Sequence, residues 1–161
     1  MTSPAPRSRR AETFRHRNLP LLLLQARERV LGQFRPLLNA NGVTEQQWRI
    51  VRALLETGPL EPRELVAHCG ISSPSLAGVL ARMEDLGLVQ RERLEHDQRR
   101  VRVSLTAANR TLAARLAPDI EATYAALEAR VGRERLQAMY AALDELIERV
   151  AVVDEESVEA G

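Results

Sequence analysis

A chain of 161 residues with a formal net charge of +1 fits one domain with helical extensions, long enough to bury an apolar interior. Its 45% apolar and 28% charged content is globular rather than disordered, and 3% aromatics leaves Leu, Ala and Val to build the core. The small net charge hides uneven ends. Arg7, Arg9, Arg10, Arg15 and Arg17 stand against Glu12 at the start, and Asp154, Glu155, Glu156 and Glu159 crowd the last stretch.

Residues 1–18 read as a mobile basic arm. The run Leu19 to Leu24 is apolar but far short of the ~20 residues a bilayer span needs. No small-residue cleavage site follows the early arginines. A soluble, cytoplasmic protein with no membrane partner is therefore expected. The single cysteine, Cys69, excludes an internal disulfide and fits that compartment.

The spacing of Leu23, Leu24, Val30, Leu31, Phe34, Leu37 and Leu38 predicts a helix over Pro20 to Leu38, bent at Pro36, where the ring removes a donor. Thr44 and Gln47 form a capping box for a second helix, whose expected buried face is Trp48, Val51, Leu54 and Leu55. Gly58-Pro59 stops it. Pro62 opens a short helix ending at Cys69-Gly70, and Ser72-Ser73-Pro74 starts another, expected to reach Leu86 with Gly87 behind it. Two helices meeting across a tight glycine turn is the arrangement that lays the second helix in a DNA major groove.

Leu88 to Arg93 and Val101 to Leu105 alternate as two strands joined by a loop that carries Glu95, Asp97, Arg99 and Arg100. Thr106 caps the next helix. Leu112, Leu116, Ile120, Tyr124, Leu127 and Val131 trace one apolar stripe; Leu136, Met139, Tyr140, Leu143, Ile147 and Val150 trace another. The expected fold is mainly α with a small two-stranded β wing. A winged helix-turn-helix of residues 44–106 lies between dimerisation helices of residues 19–43 and 107–153, with an acidic tail of residues 154–161 at the end. The end stripes can be buried only on each other or on a second copy, and because DNA-reading modules commonly act as two-fold dimers on paired half-sites, a homodimer is expected.

This order of elements, with Asp97-x-Arg99 in a basic wing leading into Leu105-Thr106, resembles the MarR family of winged helix-turn-helix regulators over Leu19 to Val153. Within that span "LPLLLLQARE", "FRPLL" and "TEQQWRIVRALL" are similar to the HpaR branch, repressors of catabolic genes for hydroxylated aromatic acids. The resemblance implies a dimer with interlocked first and last helices and double-stranded operator DNA as partner. It also implies a wing whose Arg99 enters the minor groove while Asp97 holds it. A cation there feels focused negative potential. As effector it implies a small aromatic carboxylate of the hydroxylated benzoate, phenylacetate or nicotinate type, with no cofactor.

Candidate DNA contacts are set by position. Ser72, Ser73 and Ser75 crowd a helix N-terminus, where free amides and the dipole favour phosphate, and at least one of them is expected to cap the helix. Leu76, Val79, Leu80, Met83 and Leu86 take one side, which turns Gly78 and Arg82 outward. Gly78 either packs tightly or lets the helix approach another surface, since glycine there costs about 1 kcal/mol relative to alanine. Arg82 suits guanine, phosphate or the neighbourhood of Glu84. Arg100 and Arg102 suit backbone phosphates.

Candidate effector contacts are Trp48 and Arg49 after the capping box, Gln25 and Arg27 on the first helix, and Arg15, His16 and Asn18 ahead of it. Their plain alternative is core packing for Trp48 and surface or interface pairs for the arginines. Cys69 reads as packed, with an oxidation-sensing regulator as the competing possibility. His16, His68 and His96 are too scattered for a metal site. No nucleophile elbow, phosphate-cradling glycine loop or paired carboxylates points to an enzyme. A winged-helix protein-interaction module is the other rival.

Overall fold

The computed structural model describes residues 14–150. The basic arm's residues 1–13 and the acidic tail 154–161 lie outside them. The elements are α1 (Leu19–Ala40), α2 (Glu45–Thr57), α3 (Pro62–Cys69), α4 (Ser73–Asp85), β1 (Val89–Leu94), β2 (Asp97–Leu105), α5 (Ala107–Val131) and α6 (Arg133–Arg149). None of the described helices is long and apolar enough to cross a membrane.

Local chemistry sets the boundaries. The Asn18 side chain accepts from the Leu21 amide at 3.0 Å to start α1. The helix runs on through Pro36 to Ala40 rather than stopping at Leu38. Thr44 and Gln47 close both bonds of the expected capping box. Glu61 and Glu64 form a second reciprocal box ahead of α3. Gly70, at φ 57°, turns the chain through the left-handed region between α3 and α4, a conformation glycine enters without steric cost. Ser72 stands at the N-cap of α4, yet its side chain makes no cap bond; its hydroxyl donates to that of Ser75 at 3.0 Å instead. The serine capping expected there is therefore replaced by a hydroxyl pair. Thr106 accepts from the Asn109 amide and caps α5.

The wing differs from the expected short strands around a charged loop. β2 begins at Asp97, so Glu95 and His96 alone make the turn. β1 and β2 pair antiparallel from Val89↔Leu105 to Arg93↔Val101, and then the register jumps to Leu94↔Asp97. Residues Gln98, Arg99 and Arg100 bulge out of the ladder. Local bonds hold the bulge: Arg93 donates to the Gln98 carbonyl at 3.0 Å and Gln98 to the Leu94 carbonyl at 3.3 Å. Leu60 and Val103 exchange backbone bonds at 3.1 and 2.7 Å, which docks the wing on the segment between α2 and α3.

The core has two parts. The larger gathers Ile50, Val51, Leu54, Leu65, Leu76, Val79, Leu80, Met83, Val89 and Val103 from the winged unit. The smaller joins Phe34, Leu38, Val43, Leu116 and Ile120 from α1, α5 and the turn before α2. Half-buried Trp48 packs against both. Two expected core positions are corrected: Leu55 is 41% and Leu86 66% exposed, while unexpected Ile50 is wholly buried. Leu86 sits past the last turn of α4, beyond the reach of the core below it.

The end helices leave apolar surface uncovered. Leu21, Leu22 and Leu24 of α1 and Met139, Tyr140 and Ile147 of α6 are exposed, and Leu136 is the one buried position of α6. Replacing a fully buried Met leaves a cavity that typically costs about 2–5 kcal/mol. Met83→Ala is expected to lower unfolding stability on that scale in chemical denaturation, whereas Leu86→Ala stays within about 0.5 kcal/mol.

Candidate nucleic-acid interface and ligand cavity

α4 buries Leu76, Val79, Leu80 and Met83 and turns Ser73, Ser75, Gly78 and Arg82 to solvent. With no side-chain cap, its first-turn amides face outward beside three hydroxyls, a setting suited to an anion. A Cβ built on Gly78 meets nothing within 4 Å, which removes tight packing inside this chain as the reason for the glycine. Glu84 pairs with Arg91 at 3.0 Å, not with Arg82, and Arg82 has no ion-pair partner among the described residues.

In the wing, the Asp97 carboxylate accepts the backbone amide of Arg99 at 3.0 Å. The resemblance implied that Asp97 holds Arg99, and the bond runs to the main chain of Arg99. Arg99 and Arg102 are exposed, with no ion pair among the described residues. Arg100, a candidate phosphate contact, reaches the buried Glu61 carboxylate through Nε at 2.6 Å and Nη2 at 2.5 Å. Arg63 shares the other Glu61 oxygen at 3.0 Å. Glu61, Arg63 and Arg91 were missed from the sequence. The Glu61-x-x-Glu64 spacing signals the cap, but nothing in it reports the wing.

A cavity of about 350 Å³ opens between α1, α2 and α5. Val30, Leu31, Phe34, Leu38, Trp48 and Tyr124 form its apolar wall, and Arg27, Arg49, Arg52 and Glu45 its polar side. Phe34 and Tyr124 stack tilted with ring centroids 4.7 Å apart. Burial raises the pKa of the Tyr124 phenol above its ordinary value, against a smaller opposing pull from Arg52. The Glu45 carboxylate gathers Arg27, Arg49 at 2.8 Å and Arg35 at 3.8 Å, and Arg52 pairs with Glu56 at 2.5 Å.

Of the candidate effector residues, Arg27, Trp48 and Arg49 line this cavity. Asn18 caps α1, Gln25 points to solvent, and Arg15 and His16 are exposed ahead of the helix. Phe34, Arg52 and Tyr124 are lining residues the sequence did not single out for a ligand. Arg52 lies one turn after Trp48, a spacing that could have found it; Tyr124 read as one more member of a core stripe.

The MarR family profile matches residues 41–100. The homoprotocatechuate degradative operon repressor of Escherichia coli is 41% identical over 132 residues, covering 82% of this chain and 89% of that protein. The chain belongs to the MarR family. The transcriptional regulator FarR of Neisseria gonorrhoeae is 40% identical over 132 residues, 82% of this chain and 90% of that one. NadR, solved in complex with 4-hydroxyphenylacetate, superposes with a TM-score of 0.77 at 39% identity, covering 86% of this chain and 98% of that one. These relatives are regulators rather than enzymes, and this MarR-family chain is a DNA-binding transcription regulator of winged helix-turn-helix fold.

In this MarR regulator Cys69 lies at the end of α3 with 4% of its surface exposed, and its Sγ donates weakly to the Arg49 carbonyl at 3.7 Å. Burial pushes the thiol pKa up, against a smaller opposing pull from Arg49, so the reactive thiolate is scarce at neutral pH. Among the described residues no cluster of His, Cys, Asp and Glu could hold a metal ion.

Two outcomes are expected. Cys69 reacts with an aromatic disulfide reagent at pH 7 much more slowly in the folded protein than in denaturant, read from thiol absorbance; equal rates contradict its burial. Gly78→Ala raises stability by about 0.5–1 kcal/mol, because the added methyl meets open space and alanine favours helix. The same variant lowers operator affinity in a mobility-shift titration if the glycine serves a close approach to DNA.

Proposed function

We propose that this chain is a cytoplasmic, homodimeric repressor that holds a palindromic operator and releases it when a small aromatic acid enters the α1–α2–α5 cavity. The hydroxylated benzoate, phenylacetate and nicotinate types fit. The observation that carries the reading is the cavity's composition: aromatic and aliphatic walls beside three arginines and a single carboxylate. A ring finds Phe34, Trp48 and Tyr124, and its carboxylate finds planar cationic forks. Support comes from NadR, which is solved with 4-hydroxyphenylacetate, and from the E. coli relative named for an aromatic-acid degradative operon.

The exposed apolar faces of α1 and α6 support pairing of two copies, which sets two α4 helices at a fixed separation. On each copy the α4 N-terminus, Ser72, Ser73, Ser75, Gly78 and Arg82 face the major groove, and Arg99 and Arg102 extend the contact along the backbone and minor groove. An acid can weaken this contact only by binding better to the dimer shape whose α4 helices are wrongly spaced. The buried, high-pKa Cys69 favours a ligand-driven response over an oxidation-driven one.

In mobility shifts with duplexes from its own promoter, 4-hydroxyphenylacetate is expected to release the protein in a saturable way. Trp48→Phe, which keeps an aromatic ring against both core clusters, is expected to leave DNA binding within a few fold and to weaken that release. Retention of DNA at saturating acid, across hydroxylated benzoates and nicotinates as well, overturns the effector reading. Arg99→Ala is expected to weaken operator binding by about 1–3 kcal/mol without unfolding the protein. A protein-interaction scaffold has no such affinity to lose.

A further inference from the structure

We infer that Arg49 is the positioning residue through which an acid in the cavity loosens the helix-turn-helix; the inference rests on the effector reading above. Arg49 stands on α2 and lines the cavity. Its Nη2 donates to Glu45 at 2.8 Å, and its Nη1 reaches out of the cavity to the carbonyl oxygen of Cys69 at 2.6 Å. Glu45 also holds Arg27 of α1. One guanidinium therefore ties the α1–α2 carboxylate cluster to the last residue of α3.

The Cys69 carbonyl is one of the C-terminal helix acceptors that no intrahelical amide satisfies. The next residue, Gly70, makes the left-handed turn that aims α4, and Ser72 at the head of α4 comes two residues later. The Cys69 thiol returns a weak bond to the Arg49 carbonyl, so α2 grips the turn at two points. The other cavity arginines lack this connection. Arg27 bonds to Glu28 and Glu45, and Arg52 bonds to Glu56 on its own helix.

A backbone carbonyl is a neutral acceptor that takes one guanidinium N–H, whereas a carboxylate is charged and can take two in parallel. An acid in the cavity competes with Cys69 for the donors of Arg49. When it wins, the carbonyl at the end of α3 loses its partner and the turn loses one of its ties to α2. Acid binding and a fixed α4 thereby oppose each other, as a negative coupling between effector and operator requires. Arg27 and Arg52 can hold a carboxylate but make no bond to the α3–α4 turn themselves; Arg27 reaches it only through Glu45 and Arg49.

The test uses full-length protein and 4-hydroxyphenylacetate. Operator affinity is measured without acid and at saturation, and acid affinity by calorimetry, for the wild type, Arg49→Lys and Arg49→Met. The wild type is expected to lose about tenfold or more in operator affinity on saturation, within the usual range of allosteric couplings. Arg49→Lys keeps a cation for the acid but no planar fork to span Glu45 and Cys69. It is expected to bind acid within about tenfold of the wild type, while the ratio of operator affinities falls close to one. Undiminished ratios in both variants overturn the role of Arg49 while leaving the effector reading intact. Absence of acid binding by the wild type overturns both.

A second readout needs no substitution and decides the matter if the variants fold poorly. In protein labelled at the cysteine carbonyl carbon, the Cys69 resonance is expected to move upfield as 4-hydroxyphenylacetate saturates, reporting loss of the arginine bond. A stationary resonance under saturating acid overturns the inference.

Discussion

Burial of Leu76, Val79, Leu80 and Met83 decides which side of α4 meets solvent, and that side is the surface proposed to face DNA. Each such side chain contributes about 1.5–3 kcal/mol when removed from water, so the helix cannot roll to present another face. The same core takes in Val89, Val103 and Leu105 of the wing, and Leu60 adds a backbone bridge to Val103. Reading helix and wing are consequently one packed unit. Its outward groups include a few hydroxyls, one open glycine and Arg82, Arg99 and Arg102, which have no carboxylate partner among the described residues. The Glu61–Arg100 pair belongs to this rigidity: a carboxylate with 6% exposure needs a cation, and meeting that need pins the wing to the head of α3.

The molecule's second part obeys a different constraint. α1 and α6 leave apolar side chains exposed, and the small cluster of Phe34, Leu38, Val43, Leu116 and Ile120 ties α1 to α5. Trp48 touches both clusters, and the cavity lies along this seam. A ligand site at a seam can tilt one packed body against the other, whereas a site inside either body would only swell it. Arginines crowd around Glu45 in the same seam.

What the sequence made legible was chemistry that acts over a few residues. The Thr44–Gln47 box, the Gly70 turn and the Thr106 cap bond within four positions of themselves, and each stands where its spacing put it. Helical periodicity located the inner face of α4 as far as Met83, then failed at Leu86, because a repeat cannot announce where the partner surface ends. The extent of β2 was hidden because charged residues with low strand propensity occupy its first half, held by bonds around the bulge rather than by a regular ladder. Arg100 finding Glu61, and Tyr124 meeting Trp48 across the cavity, are long-range juxtapositions that no local pattern encodes. Family resemblance placed Arg99 and Asp97 in the wing but not the atom Asp97 binds, since the bond to the Arg99 amide depends on the local path of the bulge.

The central claim is that two copies, joined through α1, α5 and α6, present paired α4 helices to one duplex. Native mass spectrometry of the protein with a promoter duplex at low ionic strength counts the chains directly. A complex of two 18.0 kDa chains on one duplex is predicted, with free protein also paired. A free single chain, or a complex holding one chain per duplex, would contradict it.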